Sequence, residues 1–272
     1  MKKETIIIKK KTSVLDALTE LGFSYNYACK MLRNKDVRLY DEKIKDNLPL
    51  AAGDELTFFY NEDAKNTEVK YQEIYQDQHI IIVDKKAGIE VVGGLDKLVN
   101  ATAVHRLDRN TSGIVVMAKD KLAETSLLSA FKNHSMNKIY LAEVVGKTDW
   151  KNFKHKAYLL KDANLSQVKI FDKKVKGSVE IETIFSTKSS NPSSSIVECK
   201  LVTGKTHQIR ASLSYLGHPI IGDGKYGKNE DNKKFKAKTQ KLHAYKLTLQ
   251  GLTPPLEYLN GQTFSSKPDW LK

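Results

Sequence analysis

Asp108 stands in the string His105-Arg106-Leu107-Asp108-Arg109-Asn110-Thr111-Ser112-Gly113, directly ahead of the apolar run Ile114 to Ala118. Flanked by two arginines, its carboxyl sits in a positive field and reads as ionised at neutral pH. An ionised Asp serves as a base, a nucleophile or a metal ligand. No second carboxylate lies close in the sequence, which argues against a metal centre and against paired acid/base work on a glycoside. The seven histidines contain no HExxH pattern, and Cys29 and Cys199 form no CxxC pair. No metal and no other cofactor is therefore expected. Thr111-Ser112-Gly113 reads as a tight turn that orients the loop before it. A structural Asp–Arg ion pair at a turn accounts for the same string equally well.

The elements around this string must place it. Strands are predicted over Ile139 to Val145, Val179 to Phe185 and Ile196 to Leu201, with few helices between them. A helix from about Asp120 to Phe131 has a capping Asp and an apolar face of Ala123, Leu127, Ala130 and Phe131. A second one, Thr206 to Leu216, would project Arg210 toward a cleft. The Ser-rich stretch at 186–195 reads as a hairpin tip or loop. Near the start, Ile6 to Ile8 reads as a short strand. Thr12 or Ser13 then caps a helix with Val14, Leu15, Leu18 and Leu21 on its apolar face, ended by Gly22. Another helix begins near Ser24, turning Ala28, Met31 and Leu32 inward and carrying Lys30 and Arg33 on its other face, with Lys35 and Arg38 just beyond. Val37 to Tyr40 and Glu55 to Tyr60 read as strands. Such basic spacing suits a phosphate backbone, and equally a solvated helix face.

Charge narrows the class. The 272 residues carry a formal net charge of +13, of which the first 60 residues contribute only +2. An excess of this size points to a polyanion, either nucleic acid or an acidic membrane surface. No apolar run approaches the ~18–20 residues that span a bilayer. The opening MKKETIIIKKK is unlike a secretory signal, and the isolated cysteines fit a reducing cytoplasm. The polar stretch 61–72 reads as a linker between two domains.

HRLDRNTSG resembles the signature of the pseudouridine synthases of the RluA/RluD type, which isomerise uridines already within RNA. Further stretches follow in that family's order: IIIVDKKAGIE at 80–90, KIYLAEVVG at 138–146, GKTHQIR at 204–210, LGHPIIGD at 216–223 and LHAY at 242–245. The resemblance implies that Asp108 is the catalytic aspartate and Arg210 its guanidinium partner. It makes Tyr140 the residue that stacks on the base and is a candidate for taking the C-5 proton, and it lets Arg106 fill the gap left by the flipped uridine. His105, Lys138 and Lys205 join the RNA-facing set, although His105 and His207 equally suit hydrogen-bonded structural roles. Lys86 stands where the family has proline, Lys205 where it has arginine and Ser212 where many members have histidine. Glu90 to Gly94 replaces a VHP-like tripeptide.

The run from Ser24 to Tyr60 resembles the small RNA-binding module named after ribosomal protein S-four, with Leu39-Tyr40-Asp41 in place of its usual Val-Asn-Gly turn. That makes Lys30, Arg33 and Arg38 RNA-binding candidates. The expectation is an α+β protein: an S-four-like module at 1–60, a linker at 61–72, and a mainly antiparallel catalytic domain at 73–272. It is expected to isomerise uridine in RNA as a cytoplasmic monomer. Large-subunit ribosomal RNA is the favoured substrate and transfer RNA the alternative; a ribosome-assembly factor with dispensable catalysis is the non-enzymatic one.

Overall fold

The computed structural model describes residues 1–23, 25–61, 70–162 and 166–271. The chain divides into two compact units, Met1–Val69 and Lys70–Lys272.

The first unit contains β1 (Lys2–Ile7), β2 (Thr12–Ser13), α1 (Val14–Glu20), α2 (Tyr25–Arg33), β3 (Val37–Leu39), β4 (Glu42–Ile44), β5 (Pro49–Leu50) and β6 (Glu55–Tyr60). Its main sheet runs β1-β6-β3-β4, and β2 pairs with β5. Ser13 caps α1, its hydroxyl accepting the Asp16 N–H at 3.2 Å, which satisfies an otherwise orphaned donor. Val14, Leu18, Ala28, Met31, Val37, Leu56 and Phe58 form the core. The first strand starts earlier than the triple isoleucine suggests. Lys2 already pairs with Tyr60 across the edge, because an edge strand exposed on one face accepts lysine there. The expected cap at Ser24 lies outside the described residues. Tyr40 and Asp41 make the two-residue turn between β3 and β4 with φ of 48° and 66°. Such a turn needs positive φ at both positions, and here the Tyr40 hydroxyl donates to Asp54 Oδ1 at 2.6 Å.

The second unit begins at Lys70, where the linker was expected to run on to 72, because Tyr71 already pairs with Lys85; residues 62–69 of that linker lie outside the described residues. Its elements are β7 (Tyr71–Gln76), β8 (Ile80–Lys85), α3 (Asp96–Val99), β9 (Thr102–Ala103), β10 (Ser112–Ala118), α4 (Lys121–Lys132), β11 (Asn137–Val145) and β12 (Phe153–Asp162). After these come β13 (Gln167–Phe171), β14 (Val179–Ser190), β15 (Ser194–Leu201), α5 (Gln208–Tyr215), α6 (Asn229–Lys234), β16 (Leu242–Thr248) and β17 (Thr263–Ser265). One sheet holds β13-β12-β14-β15-β11-β16-β10-β8-β7, with β17 and β9 at its side. Among the described residues only β10 and β16 pair in parallel, at Ser112–His243 and Gly113–Ala244. This is the mixed, mostly antiparallel α+β architecture expected.

At β8 and β10 both faces of the sheet are covered. Ile80, Ile82 and Val116 pack with Ala123, Leu127 and Ala130 of α4, while Ile81, Val83, Val115 and Met117 pack with Leu107 on the opposite side. That is why β8 is apolar on both sides rather than alternating. The Ser-rich stretch is mostly strand, since Ser186 to Ser190 belong to β14 and Ser194 to β15. Ser195 is buried, but its hydroxyl donates to the Gly146 carbonyl and accepts the Thr148 N–H, each at 2.9 Å. No helix among the described residues is long and apolar enough to cross a membrane.

Candidate active site

Within the second unit a cleft of about 390 Å³ opens at the loop before β10, bounded by β11, the start of α5 and the start of β16. Arg106, Leu107, Asp108, Lys138, Tyr140, His207, Ile209, Arg210 and Leu242 line it. Its size falls in the range of sites that take a small ligand, ~300–1,000 Å³.

The Asp108 loop is held from three directions. The Thr111 N–H donates to the Asp108 carbonyl at 3.0 Å, and the buried Thr111 hydroxyl accepts from Gln240 Nε2 at 2.8 Å. Behind the loop lies Lys85, wholly buried. Its ammonium donates to the carbonyls of Lys86, Ile89 and Arg109 at 3.1, 2.9 and 3.0 Å. Burial lowers the Lys85 pKa to about 8, against the opposing pull of Glu90, Asp108 and Asp84. After the loop, Gly113 takes φ of 112°. A Cβ there would lie 2.4 Å from the Ala244 carbonyl oxygen, so only glycine lets β10 meet β16 in parallel.

The positive field at Asp108 comes from elsewhere than its sequence neighbours. Arg106 is exposed and Arg109 turns its Nε to the Gly88 carbonyl at 3.0 Å. The partner is Arg210, whose Nη1 donates to Asp108 Oδ2 at 2.7 Å. Arg210 is itself buried and gives Nε and Nη2 to Asp223 at 2.7 and 2.9 Å. Burial works against the Arg210 charge, but the hydrogen bonds and charges of Asp223 and Asp108 outweigh it and raise the pKa. Asp223 shows the converse balance: burial pushes its carboxyl up, and Arg210 with the Lys225 and Tyr226 N–H groups brings it below the ordinary value. The result is a fixed cation presenting one N–H to a carboxylate on the cleft wall.

Tyr140, on β11, is packed between two apolar clusters. Burial, and then the Asp108 charge, raise its pKa, so the phenol stays protonated. Lys138, on the same strand, is half-buried and its pKa is lowered by desolvation. Lys205 and Arg106 are exposed at the cleft edge. His105 is a different case. Its Nε2 accepts the Val116 N–H at 3.0 Å and its ring stacks on Phe131 at 4.5 Å. Burial lowers its pKa to about 3, so it is a neutral brace with no charge to offer RNA.

In the first unit Lys30 and Arg33 are exposed on α2. Arg38 is turned inward: its Nε is buried and its guanidinium lies over the Phe59 ring at 5.1 Å. Lys86 brings no free charge, because its ammonium meets Asp269 at 3.0 Å and Asp84 at 3.6 Å. Its N–H donates to the Lys70 carbonyl at 2.9 Å, a bond that proline could not make.

Two central residues were not singled out from the sequence. Asp223 closes the LGHPIIGD stretch, and an acid ending such a run is the signal that could have marked it. Lys85 had no signal, since a lysine at a strand end ordinarily faces water. Among the described residues no group of three or more His, Cys, Asp and Glu is placed to hold a metal ion.

The family model described as RNA pseudouridylate synthase matches residues 79–215. An "Uncharacterized RNA pseudouridine synthase" of Mycoplasma capricolum is 28% identical, over 89% of this chain and 88% of its own length. "Ribosomal large subunit pseudouridine synthase C" of Escherichia coli K12 is 32% identical, over 74% of this chain and 71% of its own. Among solved structures, "Human RNA Pseudouridylate Synthase Domain Containing 1" superposes with a TM-score of 0.63 at 23% identity, covering 74% of this chain and 84% of that one. At that identity the superposition speaks for the fold alone.

Proposed function

The chain belongs to the RNA pseudouridylate synthase family, and from that premise we propose that it converts uridine to pseudouridine in large-subunit ribosomal RNA, with Asp108 as the catalytic carboxylate. The observation that carries the reading is the Arg210–Asp108 pair at 2.7 Å on the wall of a cleft shared with Tyr140. A carboxylate paired with and aimed by a buried guanidinium serves either attack at C-1′ or removal of a ribose proton. Tyr140 takes the stacking role: its protonated hydroxyl has no hydrogen-bond partner among the described residues, so no group stands ready to make it a base.

Reaching a base inside folded RNA requires extruding it, at a cost of a few kcal/mol. Arg106, exposed at the cleft edge, is suited to occupy the space left behind. Lys138 and Lys205 then face the flanking phosphates, and Lys30 and Arg33 give the first unit a basic face for RNA. Relatives named for the large ribosomal subunit favour ribosomal over transfer RNA. The reading has the chain acting as a single copy in the cytoplasm.

The test is to map pseudouridines across ribosomal and transfer RNA in a strain lacking the gene, complemented with wild type or with Asp108→Ala. Discrete ribosomal sites should vanish in the deletion and return only with wild type. Sites that persist in the deletion, or that Asp108→Ala restores, would overturn the assignment.

A further inference from the structure

We infer that His207 is a positioning residue for Asp108, held as the Nε2–H tautomer by the hydroxyl of Tyr226. The inference rests on the pseudouridine synthase reading for its consequence, and on the hydrogen-bond network for the tautomer itself.

His207 precedes α5 with φ of 54°, an uncommon conformation for a residue with a side chain. That conformation lets one ring reach two partners. Nδ1 lies 2.9 Å from the Tyr226 hydroxyl, and Nε2 lies 3.7 Å from Asp108 Oδ2. The Tyr226 hydroxyl accepts the Val168 N–H at 2.8 Å, so its single proton remains to be given to His207 Nδ1. Tyr226 is fixed in turn. Its N–H donates to Asp223 Oδ1 at 3.1 Å, and the Arg210 guanidinium lies 5.2 Å from its ring centre.

The charges around the imidazole are those of Asp108 and Asp223, which favour its protonation, and of Arg210 and Lys225, which oppose it. Burial is the largest influence and lowers its pKa, which leaves a neutral ring with one N–H. Placing that hydrogen on Nδ1 would turn the Nε2 lone pair toward the Asp108 carboxylate. Placing it on Nε2 lets Nδ1 accept from Tyr226 and turns an N–H dipole toward the carboxylate. Oδ2 of Asp108 then has the Arg210 donor and a second, more distant dipole on the same side. Oδ1 has no hydrogen-bond partner among the described residues and is the oxygen left to face the ribose.

The experiment uses the full chain with ¹⁵N-labelled histidine. Long-range proton–nitrogen NMR at neutral pH should show His207 protonated at Nε2, and Tyr226→Phe should remove that preference. His207→Gln, whose amide nitrogen can stand near the Nε2 position, should keep kcat within about threefold, whereas His207→Asn should lose about tenfold with KM little changed. Asn tolerates positive φ better than Gln, so a loss confined to Asn is not a folding defect. An Nδ1–H ring in the wild type, or equal activity of the Gln and Asn variants, would overturn the proposal. The tautomer measurement needs no substrate, so it decides the matter even if the wild type proves inactive on RNA, the result that would sink the functional reading instead.

Discussion

Arg210 gives two nitrogens to Asp223 and one to Asp108. The wholly buried Asp223 thus orients the guanidinium, and Asp108 receives the one N–H left over. A single Arg–Asp pair would swivel about its contact. A bidentate pair behind it fixes the plane and so the direction of the third donor.

Asp223→Asn should therefore damage folding and catalysis together. Breaking one partner out of a buried ion pair costs about 3–5 kcal/mol, which denaturant unfolding would read. Activity should fall at least about tenfold as the Arg210 plane is released. The pH dependence has a definite sign. Because the folded pKa of Asp223 lies below its ordinary 3.8, the unfolded chain binds this proton first on acidification. The stabilisation is present above about pH 4 and is lost as the pH falls through the folded value. The stability gap between wild type and Asp223→Asn should shrink over that window.

Gly113→Ala tests the parallel junction that holds the Asp108 loop. A Cβ at that position meets Ala244 backbone atoms at 2.4, 2.5 and 2.8 Å, so the β10–β16 pairing must open. Gly217 is the control. It has φ of 84° with nothing within 4 Å of a Cβ, and its alanine variant should bear only the left-handed strain, about 1–2 kcal/mol. Melting curves should separate the two variants widely, and equal losses would show that the junction adds nothing beyond strain.

Lys85→Met should cost stability by leaving the Lys86 and Ile89 carbonyls without their shared donor, roughly 1–3 kcal/mol for each such group left unpaired, while the Arg109 carbonyl keeps the Gly88 N–H at 2.8 Å. Here too pH gives a signed check. The folded pKa is about 8 against an ordinary 10.5, so between these values the unfolded chain holds a proton that the folded one has lost. Stability attributable to Lys85 then rises with pH across that interval. Wild type minus Lys85→Met, measured by chemical denaturation from pH 8 upward, should widen.

What the sequence disclosed, and what it hid, divides by distance along the chain. Ser13 and Asp120 are caps legible locally, because a side chain that accepts an N–H three residues on leaves its mark in a short window. Asp108 and Arg210 are far apart in the chain, and only a resemblance to known enzymes joined them. The flanking arginines misled for the same reason: adjacency in sequence says little about which way a loop turns its side chains. Arg38 read as a phosphate ligand because charge is visible in a sequence and the face beneath it, here the Phe59 ring, is not.

Lys30 and Arg33 provide the sharpest separation of binding from chemistry. Both are exposed on α2, in a unit with its own core, and neither lines the cleft. Replacing both with alanine in the full chain should weaken RNA binding and flatten its salt dependence. The slope of log K against log salt should fall by about 0.7 for each single-strand phosphate contact removed. The turnover rate at saturating RNA should hold, because nothing at Asp108 has changed. Arg38→Ala should behave oppositely, lowering the stability of the first unit by uncovering Phe59 while leaving the salt slope alone. Filter binding across a salt series, with unfolding curves beside it, distinguishes the three residues. A slope unchanged by the double substitution would mean that the basic face of α2 is solvated surface and that the RNA contacts lie elsewhere.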